Sequence, residues 1–503
     1  MNLLAIRPPT LFSKLSVMIS PGMPIGLAYV LGAIKDLTNI EVIDALAKNP
    51  NLAYAKEYAK GILIFGEEPD EILRSIRKTP DIVLISSMFS MEWPIVRELI
   101  NKLKEKYPDT IIIGGGEHFT ALPVFSLTNS KLDIVVTGEG EATLREIISK
   151  LIEKRPVNEM ISGICFKREN QIVSTAPRTR IREIDEIHNP AWELFNLSGY
   201  LNSGVSNTSN GETGPFRRAM PIVASRGCPY KCTFCSNPTM WGNLWRAREP
   251  EKVIDEMEEL NKNYNVTHFD FADLTAIVNK SWIREFGQKL ISRKLDITWG
   301  LPSGTRSEAL SYEILKIMKD SGCNDLDYAP ESGSEKILKI MKKMINKDKM
   351  IESINCCYRL QILTKANIIL GYPEENMMDV FKTYVFIVRM AFAGLDDILI
   401  TSLSIYPGSK IFENLNNKNK IELSDEYFYE LAGQGSLAVS ESYSNHYGKI
   451  MLYLFKIGGF ILFYISSYIR YPGRFLVLIN DLRTGKGSTR LSMGLMNLSN
   501  RLL

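Results

Sequence analysis

The sequence predicts an α/β protein in three parts: a Rossmann-like, doubly wound N-terminal domain, a partial (βα)6 or TIM-type barrel, and a helical C-terminal region. Apolar strands alternate with amphipathic helices from 81 to 152, and the alternation resumes from 221 to 406 with about six strand and helix repeats. Past Tyr406 the pattern lapses until an apolar stretch of 20 residues, 450–469, interrupted by Lys456 and a glycine pair. These observations set boundaries at 1–153, 154–220, 221–410 and 411–503.

In the first part, DIVLISS reads as an apolar strand, and PIVRELINKLKEKY puts Ile95, Val96, Leu99, Ile100 and Leu103 on one helical face. TIIIGGG and DIVVTGEGE read as strand ends entering glycine turns, and Leu144, Ile147, Ile148, Leu151 and Ile152 then recur at helical spacing. Strands alternating with helices imply a parallel sheet, whose ligands bind beyond the carboxyl ends of the strands. Ser86, Ser87, Gly114 to Gly116 and the turn with Gly138 and Glu139 belong to that edge. From 154 to 220 the periodicity weakens, and SGVSNTSNGETG (203–214) has the composition of a mobile loop or linker. The second run then passes through PIVAS, VTHFDF, DITWG, CNDLDYA, TKANIIL and DDILITSLSI, with a helix after each of the earlier strands.

Composition narrows the function classes. Hydrophobic residues at 45%, charged residues at 23% and a formal net charge of +3 give no electrostatic case for a nucleic-acid partner. The start, MNLLAIRPPT, has no secretory pattern, so a cytoplasmic location with reduced thiols is expected. Of seven cysteines, Cys228, Cys232 and Cys235 fall within eight residues, whereas Cys165, Cys323, Cys356 and Cys357 are scattered and read as core thiols.

The clustered three stand in SRGCPYKCTFC, spaced Cys-x-x-x-Cys-x-x-Cys directly after a predicted strand, on the catalytic rim of a barrel. Three thiolates satisfy three irons of a 4Fe-4S cubane and leave the fourth open to another ligand. A structural zinc site takes four protein ligands, and no fourth cysteine or histidine occurs within thirty residues of the cluster.

This motif, with Phe234 before the last cysteine, resembles the radical S-adenosylmethionine superfamily. PIGLAYVLGAIKD, VIDA, PDIVLISSMF, GGEHFTALP and VTGEGEATL extend the resemblance to the subgroup with an N-terminal cobalamin-binding domain, which includes the anaerobic magnesium-protoporphyrin ester cyclase and carbon methylases. The resemblance implies a 4Fe-4S cluster on the three cysteines, with the amino and carboxylate groups of S-adenosylmethionine on the open iron. It further implies adenine near Phe234, which could equally only shield the cluster from water, and ribose and methionine contacts from Asp273, Glu331 and Ser332 at predicted strand ends. Corrin or nucleotide-tail contacts fall to Ser86, Ser87, Gly115, Gly116, Gly138 and Glu139, the glycines otherwise serving as a turn that connects strand to helix. IILGYPEEN is similar to the subgroup's Gly-x-Pro-Gly-Glu-Thr turn, with Glu374 for its second glycine, Asn376 for its threonine, and Glu375 as the matching carboxylate. Arg246 and Arg248 belong to WRAREPEKVIDEMEEL (245–260), which resembles the segment that follows the cluster loop and whose Glu and Lys spacing equally suits a solvated helix, so the two arginines are ambiguous. The Asp-x-His-x-x-Gly signature of histidine-ligated cobalamin is absent, since Gly116 precedes His118 by two residues and Ala121 follows it by three.

The implied activity is methylation of an unactivated carbon of a small-molecule or lipid-like substrate, driven by a 5′-deoxyadenosyl radical and an external one-electron reductant such as flavodoxin or ferredoxin. Cyclisation or oxidation without methyl transfer stays open beside it, because fold does not fix chemistry. A cobalamin-binding sensor or carrier leaves the clustered cysteines idle. A methylthiotransferase needs cysteines for a second cluster, and residues 1–164 contain none. Residues 450–469 suggest deep burial, a membrane span or contact with a lipid-like substrate, and Lys456, the glycines and Arg470 and Arg474 beyond favour burial or peripheral membrane contact over a span.

Overall fold

The computed structural model describes residues 1–14, 22–48, 55–169, 171–203, 218–275, 277–305, 310–433, 440–485 and 489–502. The polar stretch read as a linker, 203–214, lies outside the described residues apart from its first.

The first sheet has seven strands in the order Gln171–Ser174, Ile164–Arg168, Ile134–Val136, Ile111–Gly115, Ile82–Ser86, Leu3–Arg7 and Ile40–Asp44. The last five are parallel, and their apolar runs are buried because helices cover both faces. Helix Trp93–Lys106 buries all five of the residues expected on its inner face. Helix Glu141–Ile152 buries Leu144, Ile147 and Ile148, while Ile152 at its end is 43% exposed. From Leu3–Arg7 the chain goes to one neighbour and later to the other, so the crevice of such a sheet opens beyond Arg7 and Ser86.

Two features differ from expectation. Ile164–Arg168 and Gln171–Ser174, in the stretch expected as a linker, extend the first sheet antiparallel. Thr10–Ser13, Ile62–Phe65 and Lys56–Ala59 form a separate antiparallel sheet that the sequence reading lacks. All these strands are short, four or five residues each, so alternation within them carries little signal.

The second sheet has six parallel strands in chain order: Ala219–Ile222, His268–Phe271, Thr298–Thr305, Cys323–Glu331, Leu363–Leu370 and Asp397–Ser402. The first and last do not pair with each other, so the partial form of the barrel holds. Helices Pro250–Tyr264, Lys280–Arg293, Tyr312–Asp320, Lys347–Arg359 and Met377–Ala393 connect the strands. The apolar stretch becomes helix Lys449–Arg470, packed on helix Met377–Ala393 and strand Asp397–Ser402. Gly459 permits that approach, since a Cβ there would stand 2.6 Å from the Ile400 side chain. By length and composition this helix could cross a membrane, with 39% of its apolar window buried in the protein.

Candidate active site

Beyond strand Ala219–Ile222 the chain enters a short ribbon in which Ser225–Arg226 pairs antiparallel with Arg246–Ala247. The loop between these segments carries Cys228, Cys232 and Cys235, all half-buried. Asp273, just past the next strand, fixes the root of the loop. Its carboxylate accepts the Ala224 N–H at 3.0 Å and the Ser225 hydroxyl. Burial pushes this carboxyl up to about 6. Both oxygens are occupied by the loop, so the role expected of Asp273 toward ribose or methionine gives way to positioning. Further along, Thr233 donates its N–H to the Met341 carbonyl at 2.9 Å and accepts that of Ile411 at 2.9 Å, and Phe234 packs against the neighbouring core.

Burial pushes the Cys235 thiol up to about 12, and the adjacent Cys232, Glu117 and Cys228 add to the shift. Such a thiol keeps its proton unless a bound cation displaces it, which iron does on ligation. Among the described residues, no three His, Cys, Asp or Glu side chains converge tightly enough to enclose one metal ion. Thiolates that each take a different corner of a cubane need not converge on one point, so the donor set fits a cluster better than mononuclear zinc.

The other strand-end residues surround this loop unequally. Glu331 ends its strand in the left-handed region, φ +65°, and pairs with Lys343 at 3.0 Å. A non-glycine residue held there carries backbone strain of the kind that clusters at ligand sites. Ser332, by contrast, is fully buried: its hydroxyl meets that of Thr383 at 3.2 Å and accepts the Ser334 N–H at 3.1 Å. It braces the turn and does not face open space. Glu375 accepts the Gly371 N–H at 2.7 Å and the Tyr447 hydroxyl on Oε2, while Oε1 is buried without a hydrogen-bond partner. Burial pushes this carboxyl up to about 7.

On the first domain's edge, Gly115 ends strand Ile111–Gly115 and Gly116 follows it, with Ser86 paired beside Gly115 and Ser87 next in the chain. The Ser87 N–H donates to the Gly115 carbonyl at 3.0 Å, and a Cβ on Gly116, at φ +112°, would stand 2.3 Å from the Ser87 oxygen. Nothing lies within 4 Å of a Cβ placed on Gly115, so that backbone is open. The Gly138 N–H donates to Thr120 at 2.9 Å. Glu139, expected at a cofactor, instead accepts from Arg246 at 3.0 Å and from the Ile181 N–H at 3.1 Å, and pairs with Arg226 at 3.5 Å. Glu141 takes Arg226 at 2.6 Å. The Arg226 guanidinium also lies 5.1 Å from the Tyr29 ring and 5.4 Å from the Trp241 ring. Both arginines come from the cysteine ribbon, so these four charges join the two domains. Arg248 bonds Glu256 and, at 3.1 Å, the Val223 carbonyl, which resolves its ambiguity toward structure.

Glu117, one residue past the glycines, accepts the hydroxyl of Ser236, the neighbour of Cys235. The first domain's strand-end turn therefore touches the cysteine loop directly. Sequence reasoning missed Glu117, although a carboxylate opening a helix after a glycine turn is a recognisable signal. It also missed a set at the crevice: Arg7 donates to the Tyr200 hydroxyl at 2.6 Å, Tyr200 donates to Asp44 at 2.8 Å, and burial pushes nearby Glu92 up to about 7. His118 lies wholly inside the first domain, its ring nitrogens 3.0 Å from the Ser90 hydroxyl and 3.3 Å from that of Ser126. Cys165, Cys323 and Cys357 are buried as expected, and Cys356 is half-buried.

Residues 222–387 match the model of the radical SAM superfamily, and residues 18–148 match that of the B12 binding domain. The chain belongs to the cobalamin-binding radical S-adenosylmethionine enzymes. The cofactors of this family are a 4Fe-4S cluster, S-adenosylmethionine and cobalamin. The chain is similar to an uncharacterized methyltransferase of Pyrococcus horikoshii, 28% identical over 417 residues, 82% of this chain and 83% of that one. It is similar also to the anaerobic magnesium-protoporphyrin IX monomethyl ester cyclase of Synechocystis, 30% identical over 304 residues, 60% of this chain and 58% of that one. The radical S-adenosylmethionine methyltransferase TsrM from Kitasatospora setae shares the fold, with a TM-score of 0.63 at 16% identity over 83% of this chain and 75% of that one.

Proposed function

We propose that this radical S-adenosylmethionine enzyme methylates an unactivated carbon of a small-molecule or lipid-like substrate. When bound, the cluster supplies the electron that splits S-adenosylmethionine into methionine and a 5′-deoxyadenosyl radical, and cobalamin supplies methyl-carrying chemistry. Cys228, Cys232 and Cys235 hold three irons, and Asp273 holds the root of their loop. Glu331 and Glu375 orient S-adenosylmethionine, Ser332 braces the Glu331 turn, and Phe234 shields the adenine side from water. Gly115, Gly116, Ser86, Ser87 and Gly138 form the edge on which the corrin and its tail rest, the open backbone at Gly115 allowing close approach. Glu139 acts one step back, by fixing that edge to the cysteine ribbon.

A single observation carries this reading: the turn that holds Gly115, Gly116 and Glu117 lies against the cysteine loop through the Ser236 hydroxyl. Methyl transfer is supported by the uncharacterized methyltransferase relative that matches 82% of the chain, and cyclisation without methyl transfer stands beside it as the second reading, because an ester cyclase relative matches 80% of the chain at the same 28% identity. The reading includes a one-electron reductant such as flavodoxin or ferredoxin, a cytoplasmic location, and membrane contact through 450–469.

Anaerobic turnover of host extract with methyl-deuterated S-adenosylmethionine tests it by mass spectrometry. A product that gains a labelled methyl is expected, and one with an unchanged methyl count overturns methylation. Replacing any one of the three cysteines by alanine abolishes both cubane absorbance and 5′-deoxyadenosine release; retention of either in all three variants overturns the cluster assignment.

A further inference from the structure

The geometry points to a two-helix apolar wall, built from the outer faces of Met377–Ala393 and Lys449–Arg470, that docks flat on an anionic lipid bilayer. This deepens the membrane contact proposed above and rests on it. The two helices run side by side in the same direction. At one end the Tyr447 hydroxyl accepts the Gly371 N–H at 3.1 Å, and at the other the Tyr471 hydroxyl donates to the Phe392 carbonyl at 3.0 Å. Each turns one stripe outward. Phe381, Val385 and Phe392 recur at helical spacing on the first, as do Ile461, Ile465 and Ile469 on the second, with exposures from 45% to 69%. A helix of 22 residues is about 33 Å long at 1.5 Å per residue, and Ile461, Ile465 and Ile469 occupy its second half. Exposed apolar side chains in such continuity mark an interaction surface.

Charge decides the occupant. From residue 449 to the end the chain carries eight Lys or Arg and a single acid, Asp481, a net +7 in a chain whose total is +3, although Lys449, Arg474 and Arg490 pair with Glu441, Asp396 and Asp397 and Lys456 is buried. The first 448 residues therefore carry 52 basic and 56 acidic side chains, a net of −4. Arg470, next to Ile469 in the chain, and Arg483 stand exposed. A second copy seated on this wall would set like charges against each other, whereas anionic headgroups complement them. The helix lies on the bilayer and does not cross it, because its other face holds the barrel. Leu452 and Phe463 are buried there, and Tyr464 donates to the buried Asp397 at 2.7 Å. Withdrawal would strip that aspartate of a partner.

Flotation of the full-length holoenzyme tests the wall, with vesicles of phosphatidylcholine alone and of phosphatidylcholine with phosphatidylglycerol. Binding is expected only with phosphatidylglycerol, weakened by salt, and weakened about fivefold by Arg470→Gln. Phe381→Gln with Val385→Gln, and separately Ile461→Gln with Ile465→Gln, each reduces flotation at least tenfold without changing the melting temperature. Loss with the second pair alone leaves contact through 450–469 and overturns the two-helix wall. Failure to float with either vesicle overturns both the wall and the simpler contact. Equal binding to neutral vesicles overturns the electrostatic part, and a dimer in solution dissolved by Phe381→Gln assigns the face to a second copy instead.

Discussion

Asp273 and His118 show how single side chains set the site and the domain behind it. Asp273→Ala removes the acceptors of the Ala224 N–H and the Ser225 hydroxyl, so it acts on the cysteine loop before any ligand. The expected outcome is a loss of about 1–3 kcal/mol and fewer irons per chain after reconstitution, with Asp273→Asn intermediate because one acceptor oxygen remains. Thermal melting and iron analysis check both. His118 acts through pH. Burial lowers its imidazole from 6.5 to about 3, so between these values the unfolded chain takes up a proton that the folded one refuses. Stability is full above pH 6.5 and falls as pH drops toward 3, by about 1.4 kcal/mol per unit at most. His118→Asn, measured by melting across that range, flattens the slope; an unchanged slope refutes the assignment. At this scale the sequence was legible where chemistry is local. Three cysteines within eight residues declare themselves, whereas the partners of Glu139 lie 87 and 107 residues away, and nothing local separates a carboxylate bound for a cofactor from one bound for an arginine.

Among elements, long and strongly patterned ones were readable. The helix Trp93–Lys106 and the parallel strands carry enough apolar periodicity to name themselves, while the small sheet of Thr10–Ser13, Ile62–Phe65 and Lys56–Ala59 owes its pairing to long-range closure. The ribbon of Ser225–Arg226 with Arg246–Ala247 is only two residues per strand, too short to stand without outside support. That support is ionic: Arg226 and Arg246 meet Glu139 and Glu141, all with side chains 8% exposed or less. Removing one member leaves a buried charge unpaired, so Arg226→Ala costs about 3–5 kcal/mol. A double variant, Arg226→Met with Glu141→Met, costs less than the sum of its single changes, because the pair is replaced by apolar volume. Additive melting shifts would show that the pair does not couple.

For the whole molecule, the consequence is that the two cofactor-bearing halves meet through direct contacts near the proposed reaction centre. Ser236 bonds Glu117 beside Cys235, Arg180 donates to the Thr239 carbonyl at 3.2 Å, and Thr239 donates to the Gly408 carbonyl at 2.6 Å. The first two contacts tie the cysteine loop to the N-terminal half, and the third ties it back to the barrel. Whatever favours the docked arrangement on one side therefore favours it on the other, and linkage requires the effect to be reciprocal. Hydroxocobalamin bound at the Gly115 edge stabilises that edge and should shift the equilibrium of iron between the cluster and a ferrous chelator toward the cluster by about 5- to 150-fold, the range of ordinary coupling between sites. Reconstituting the cluster should tighten cobalamin binding by the same factor, read from the corrin absorbance during titration. Glu141→Gln, which weakens the clamp at Arg226 without touching either candidate cofactor site, should bring both effects toward unity together. If iron loss responds to cobalamin and cobalamin affinity does not respond to the cluster, the two measurements do not report one equilibrium, and docking of the halves is not what joins them.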